Sequence, residues 1–254
     1  MSEFDERWEV YPGRVGDDFA MFAVNLGPED DAPFDNLRWL NVVRLTFEPL
    51  PSGMPNTDTN HVLYEVEDHV ATRAATRGGI QVGRLTVGGR RELFFYTATD
   101  DTELMLRDLN DEFGELEVDT TAQLDAEWKI YFEFLYPQPV DFQRIHNQRV
   151  VRALGEHGDI ASIPREIDHY AYFPNTSSRR EFAREITDAG FEVAHETEAD
   201  EGEFRFGLSF KSHGPVDLAT IDGVTIGLFV RANEHGGAYD GWGCAVQTGA
   251  DEEE

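Results

Sequence analysis

Lysine is nearly missing from this 254-residue chain: Lys129 and Lys211 are its two lysines, and the other cations are arginines. Cysteine is as scarce. The single Cys244 excludes an internal disulfide and a cysteine metal cluster. It sits in an apolar run and reads as a buried, inert thiol. No stretch approaches the roughly 18 apolar residues of a membrane span. The first residues, Met1 to Arg7, are charged and lack an apolar signal core, so a soluble, cytoplasmic protein is expected. There is no G-x-S-x-G, no H-E-x-x-H and no EF-hand pattern. His61 and His69 are eight apart and share a helix face only approximately, while His213 and His235 are isolated; no metal and no cofactor is expected. Gly78-Gly79 and Gly88-Gly89 read as cap and hairpin signals, because neither precedes a helix with a lysine. Arg90-Arg91 reads as a solvated strand edge in preference to an anion site.

What is abundant is negative charge. The chain has 50 Asp+Glu against 21 Lys+Arg, a net charge of −29. Such a field repels nucleic acid and anionic membranes and favours basic partners. A salt-rich cytoplasm also favours an acidic, lysine-poor surface, and a GC-rich genome depletes lysine; the charge is open to either reading, habitat or partner. With 18 Phe, 4 Trp and 40% hydrophobic residues, the chain can build a sizeable core and is no disordered acidic tail.

Pro137-Gln138-Pro139 is the best boundary, since two prolines resist both helix and central strand. It separates residues 1–136 from 140–250. In the first part, Trp8–Tyr11 opens as a strand ending at Pro12-Gly13. Strands follow at Asp18–Asn25 and Leu37–Glu48. A helix capped by Asp58 or Thr59 carries Val62, Val66, His69, Val70 and Arg73 at helical spacing. A hairpin turns at Gly88-Gly89. A second helix, Asp100–Phe113, has the stripe Leu104, Leu106, Leu109 and Phe113. A long strand, Trp128–Tyr136, closes the half. The second part begins with a helix capped by Asp141. It continues as β-α-β-β-α-β, the ferredoxin-like order, and ends in a frayed acidic 251–254. The fold class is α+β: two domains, each an antiparallel sheet with helices on one face.

Chemistry-bearing residues gather in His235-Gly236-Gly237-Ala238-Tyr239-Asp240-Gly241-Trp242-Gly243. Gly236-Gly237 suit a helix C-cap, and Gly241 and Gly243 suggest close backbone approach or a bulge in an edge strand; the stretch reads either as a turn with Trp242 folded over the core or as a recognition surface. In a ferredoxin-like sheet the first and last strands are close, bringing Asp168-His169-Tyr170 toward this stretch. His169 could then meet Asp240 or Tyr239. Such a pair is either a general base or a histidine satisfied by a structural hydrogen bond. No nucleophile accompanies it. The acidic turn Glu196–Glu203 reads as solvated, or as a lure for a basic peptide.

The helix Asp141–His157, the strand ending Ile167-Asp168-His169, the helix leading to Ala189-Gly190-Phe191-Glu192-Val193, the acidic turn and Tyr239-Asp240-Gly241-Trp242-Gly243 together resemble the regulator of ribonuclease E activity B (RraB) family. The first half, through Trp8, the Arg38–Glu48 strand and the Gly88-Gly89-Arg90-Arg91 hairpin, is similar to an uncharacterised bacterial domain family, which brings no activity with it. The RraB resemblance implies a non-catalytic protein that binds an RNA-degrading endonuclease and restrains it. The family's best-known members are one domain with a long acidic tail; here the tail is short and a whole domain stands in front. On this reading the partner surface comprises Tyr239, Asp240, Trp242, His169 and Asp168, with no direct nucleic acid or membrane contact. Trp242→Ala should abolish binding and spare the fold. Two other readings stay open: a small-molecule or enzymatic pocket near His169, Asp240 and Arg165, and a structural acidic module whose charge serves solubility in salt.

Overall fold

A computed structural model describes residues 5–106, 109, 113 and 116–249. The chain divides into two compact units, Met1–Pro137 and Gln138–Glu254, each an antiparallel sheet carrying helices.

The first unit runs β1 (Trp8–Val15), β2 (Asp18–Asn25), β3 (Trp39–Thr46), α1 (Thr57–Thr76), β4 (Ile80–Val87), β5 (Arg90–Thr97), α2 (Thr102–Leu106) and β6 (Glu117–Leu124). Its strands lie in the order β1-β2-β4-β5-β3-β6. β1 does not stop at Pro12-Gly13. It is an edge strand, where proline is tolerated, so Pro12 pairs with Met21 and the ladder continues to Val15. The turn moves to Gly16, at φ +61°.

The cap of α1 is Asn56, one turn before Asn60, and its side chain accepts a hydrogen bond from the Thr59 N–H at 2.9 Å. Leu63, Val66, Val70 and Ala74 are its buried apolar residues, packed on Val43, Leu45, Leu93 and Phe95. Val62 and Arg73, expected in that stripe, stand half-buried at its border. Of the second expected helix, Met105 and Leu109 are buried in the same core. The side chains of Leu104 and Leu106 and the tail 251–254 lie outside the described residues.

The opposite sheet face holds the largest correction. Trp128–Tyr136, expected as a closing strand, contains instead a π-helical turn, Ile130–Leu135. Asp125 anchors it, accepting the backbone N–H groups of Lys129 and Ile130 at 2.9 and 3.0 Å and the Tyr96 hydroxyl at 2.6 Å. Side chains alternate along a strand. Leu93 and Phe95 therefore meet α1, while Phe94 and Tyr96 meet the turn. Trp128 stacks on Tyr96 with ring centroids 3.9 Å apart, and its indole N–H donates to the Leu37 carbonyl at 2.8 Å. The last strand of this sheet is β6, pairing with β3. It is rich in Thr, Asp and Gln and carried no apolar signal.

The second unit runs α3 (Pro139–Glu156), β7 (Arg165–Phe173), α4 (Thr176–Asp188), β8 (Glu192–Glu198), β9 (Phe206–Gly214), α5 (Leu218–Glu234) and β10 (Ala238–Cys244). Asp141 is not the cap of α3; it lies inside the first turn and accepts the Gln138 backbone N–H at 3.1 Å. The strand order is β10-β7-β9-β8, every neighbour antiparallel. Ile167, Ala171 and Phe173 of β7 are buried among Phe182 and Ile186 of α4, Leu228 and Ala232 of α5, and Val150 and Leu154 of α3. All three helices thus cover one face. Among the described residues no helix is long and apolar enough to cross a membrane.

Trp128 fills the space between Leu37, Tyr96 and Tyr131 with no exposure. Trp128→Ala should therefore cost about 3–5 kcal/mol, read as a lowered denaturant midpoint of the full chain. A midpoint equal to wild type would contradict the packing described.

Candidate functional site

The pairing of β10 with β7 brings the two chemistry-bearing stretches together. Trp242 stands opposite His169, Gly241 opposite Tyr170 and Gly243 opposite Asp168. Gly236, at φ +68°, turns the chain out of α5, and the Gly237 N–H closes the helix end on the Ala232 carbonyl at 2.8 Å, a Schellman-type stop. The register then shifts between Tyr239 and Gly241, with Gly241 at φ +134°. Asp240 is the extra, bulged residue. The bulge has a direct consequence. Tyr239 and Trp242 are three apart and would face opposite ways in a regular strand, but both are buried beneath the helices.

His169 is fully buried. One ring nitrogen, Nδ1, lies 2.8 Å from the Tyr239 hydroxyl and the other, Nε2, 2.9 Å from Ser212 Oγ. The ring stacks on Phe210 at 5.3 Å. Burial pushes the His169 pKa down to about 4, so the ring is neutral at pH 7, with one nitrogen donating and the other accepting. Neither nitrogen is left to act as a base on a substrate. Burial, and then the charge of Asp240, push the Tyr239 phenol up from its ordinary value.

Trp242 is tied in as firmly. Its indole N–H donates to Asn147 Oδ1 at 2.9 Å. The same oxygen accepts from Gln143 at 3.0 Å, while Asn147 Nδ2 donates to Asp222 and to Thr225 Oγ1, each at 2.7 Å. The Asn147 amide thereby fills all four of its hydrogen-bonding positions and joins α3, α5 and β10. Burial raises the Asp222 carboxyl, against the opposing hydrogen bond from Asn147. Arg165 is also structural: it forms a buried ion pair with Asp159 and donates to the carbonyls of Ile160, Ile163 and Ala245.

Of the five residues expected on a partner surface, then, His169, Tyr239 and Trp242 lie in the core, Asp168 is half-buried and Asp240 is exposed. His169 meets Tyr239. The face that is open is the reverse side of the sheet. Along β7 the odd positions point to the helices, so Glu166, Asp168, Tyr170 and Tyr172 point away. Tyr170 is 42% and Tyr172 37% exposed. Gly207 pairs with Tyr172, and a Cβ added there would come 3.1 Å from the Tyr172 ring; the glycine leaves room for that ring to lie across β9. Lys211, on the same face, holds Glu166 at 2.6 Å with Asp168 3.9 Å away, and Glu192 of β8 stands opposite it. The Glu166 hydrogen bond raises the Lys211 ammonium above its ordinary value. Sequence reasoning named Tyr170 beside His169 without giving it a role and passed over Tyr172, although the two-residue alternation from Ile167 to Phe173 was the signal for both. Among the described residues no group of three or more His, Cys, Asp or Glu side chains is placed to hold a metal.

Residues 6–136 match the family of unknown function DUF695. The chain belongs to the DUF695 family. Behind the DUF695 region, residues 144–244 match the family Regulator of ribonuclease activity B, a span that takes in α3 from Arg144 onward and the four strands of the second sheet. No curated protein matches this DUF695 chain. Among solved structures it is similar to a chain titled "Crystal Structure of an Unknown Protein from Galdieria sulphuraria", at 11% identity and a TM-score of 0.22, covering 80% of this chain and 96% of that one.

His169 makes the second sheet pH-sensitive in a defined direction. Its folded value of about 4 lies below the roughly 6.5 of an imidazole in an unfolded chain. Between those values the unfolded chain binds the proton, so stability falls as the pH drops from about 6.5 toward 4, by on the order of 3 kcal/mol. His169→Gln should remove that component, leaving a difference between variant and wild type that shrinks across this window in urea unfolding of the full chain. A difference independent of pH would contradict the buried, neutral ring.

Proposed function

We propose that this chain is a non-catalytic regulator that binds a ribonuclease, or the assembly carrying it, and restrains its activity through the second unit. The match of residues 144–244 to Regulator of ribonuclease activity B carries this reading, and it would place the protein in the cytoplasm beside the RNA-degrading machinery. The net charge of −29 fits it: a strongly acidic protein repels RNA and attracts basic protein segments. Restraint would then act on the nuclease and not by competition for bases.

The surface that suits such a segment is the open face of the β10-β7-β9-β8 sheet. Two half-exposed tyrosines on a central strand offer flat anchors for arginine side chains, and Asp168, 3.9 Å from the Lys211 ammonium that Glu166 already holds, supplies a carboxylate for charge-assisted hydrogen bonds. Asp240 adds a further exposed carboxylate on the edge strand. On this reading His169, Tyr239 and Trp242 hold the sheet's shape from beneath and do not touch the partner. Trp242→Ala would test packing, since it strips Asn147 of a buried donor.

The test is an RNA-cleavage assay with the main RNA-degrading endonuclease of the same cell and the full chain added. Wild type should lower the cleavage rate. Tyr170→Ala combined with Asp168→Asn and Asp240→Asn should weaken that effect by about tenfold or more, in line with the loss of a few interface anchors, with an unfolding midpoint close to wild type. Full restraint by the triple variant would remove the site, and no restraint by wild type would remove the function.

A further inference from the structure

The first unit contains a cationic hollow in an otherwise acidic chain. α1 packs over β4 and β5, and beside it Val10 of β1 stands 40% exposed. Two adjoining hollows of about 480 and 290 Å³ open there, sharing Val10, Ala23, Tyr64 and Arg84 in their walls. They differ in charge. Glu6, Glu67 and Asp68 line the larger. The smaller is lined by both Arg84 and Arg91 and by no carboxylate, in a chain with 50 acidic residues.

Arg91 is the decisive residue. The sequence suggested a solvated arginine pair. Arg90 is exposed, but Arg91 is only 3% exposed. Its Nε donates to Thr86 Oγ1 at 3.1 Å and its Nη2 to Asn60 Oδ1 at 2.7 Å, both neutral acceptors. Its Nη1 is buried and has no hydrogen-bond partner. The nearby carboxylate, Glu67, is engaged elsewhere: Oε2 accepts from Arg84 and Oε1 from Gln81, each at 2.7 Å. The Arg84 and Arg91 guanidiniums lie 4.8 and 4.9 Å from the centre of the Tyr64 ring. Two guanidiniums and one carboxylate leave one positive charge in excess, partly stripped of water. Burial, followed by repulsion from Arg84, lowers the Arg91 pKa to about 10. A buried cation with a vacant donor is costly unless an anion completes it.

We propose that this hollow binds a small organic acid, its carboxylate or phosphate group accepting from Arg91 and Arg84. The remaining wall is apolar: Val10 is 40% exposed, and Met21, Met54 and Pro55 lie beside it. The ligand therefore carries an apolar body behind its anionic head. Paired guanidinium N–H groups match the two oxygens of such a head, and the Tyr64 ring fixes where the cations sit. The proposal concerns the DUF695 region and stands apart from the ribonuclease reading of the second unit.

The experiment is isothermal titration of the full chain, at fixed ionic strength, with phenylacetate, phenyl phosphate and the neutral phenylacetamide. At least one anion should bind and phenylacetamide should not; the tighter anion tells carboxylate from phosphate. Arg91→Met should weaken that binding tenfold or more. Its melting temperature without ligand should equal or exceed wild type, because the charge removed had no counter-ion of its own; a large fall would mean that Arg91 is a structural cation. Met54→Trp fills the hollow from its wall without touching the charges, and should also abolish binding in a folded protein. Binding of neither anion by wild type, equal binding by both variants, or equal binding of phenylacetamide would overturn the site.

Discussion

At Asp240 the last strand carries one residue more than its partner, and the second unit is arranged around that surplus. The bulge lets Tyr239 and Trp242 enter the same core from positions that a regular strand would send to opposite faces. Tyr239 then closes on His169, and Trp242 on Asn147, which in turn grips α5 through Asp222 and Thr225. One backbone irregularity, made possible by Gly241, so fixes how β10, β7, α3 and α5 meet. The reverse face, set by the alternation of β7 and β9, carries Tyr170, Tyr172, Lys211 and carboxylates.

The two units treat buried arginine in opposite ways. Arg165 is enclosed with Asp159 and three backbone carbonyls. Burial works to raise the Asp159 carboxyl, but hydrogen bonds from Arg165 and the Gln247 N–H outweigh it and hold it below its ordinary value. That cation is satisfied within the fold and needs nothing from outside. Arg91 has neutral acceptors on two of its nitrogens, and the carboxylate that acts on it, Glu67, is already engaged by Arg84 and Gln81. The first is a structural pin; the second has the incompleteness of a binding site. The same contrast separates His169, whose two nitrogens are both engaged in the core, from a catalytic imidazole, which would keep one nitrogen toward solvent.

Much of the architecture was legible because it rests on local chemistry. The glycine pairs marked the end of α1, the β4–β5 turn and the end of α5, where positive φ is needed. The β-α-β-β-α-β order of the second unit was legible too, and its strands follow it. Two elements were not legible, for physical reasons. Trp128–Tyr136 is aromatic and β-prone in composition, yet it covers a sheet face already lined by Phe94 and Tyr96; tertiary packing overrode propensity. β6 is polar throughout, and an edge strand held by its backbone ladder leaves little trace in hydrophobicity. For the site, topology correctly brought residues 168–170 to 239–242, but the bulge decides which of them face water, and one extra residue cannot be seen in a pattern of period two. Arg91 could not be separated from Arg90 until β5 was placed, since alternation puts one of any adjacent pair inside.

The central claim is that recognition belongs to the open face of the second sheet, shaped from beneath by the buried His169–Tyr239 and Trp242–Asn147 bonds. Hydroxyl-radical footprinting of the full chain, alone and with the endonuclease, tests it most directly, because tyrosine side chains report their own solvent exposure. The account predicts that Tyr170 and Tyr172 lose reactivity in the complex, while Tyr239 and Trp242 stay unreactive in both states. Unchanged reactivity of Tyr170 and Tyr172, with protection appearing on the helices or in the first unit, would contradict it.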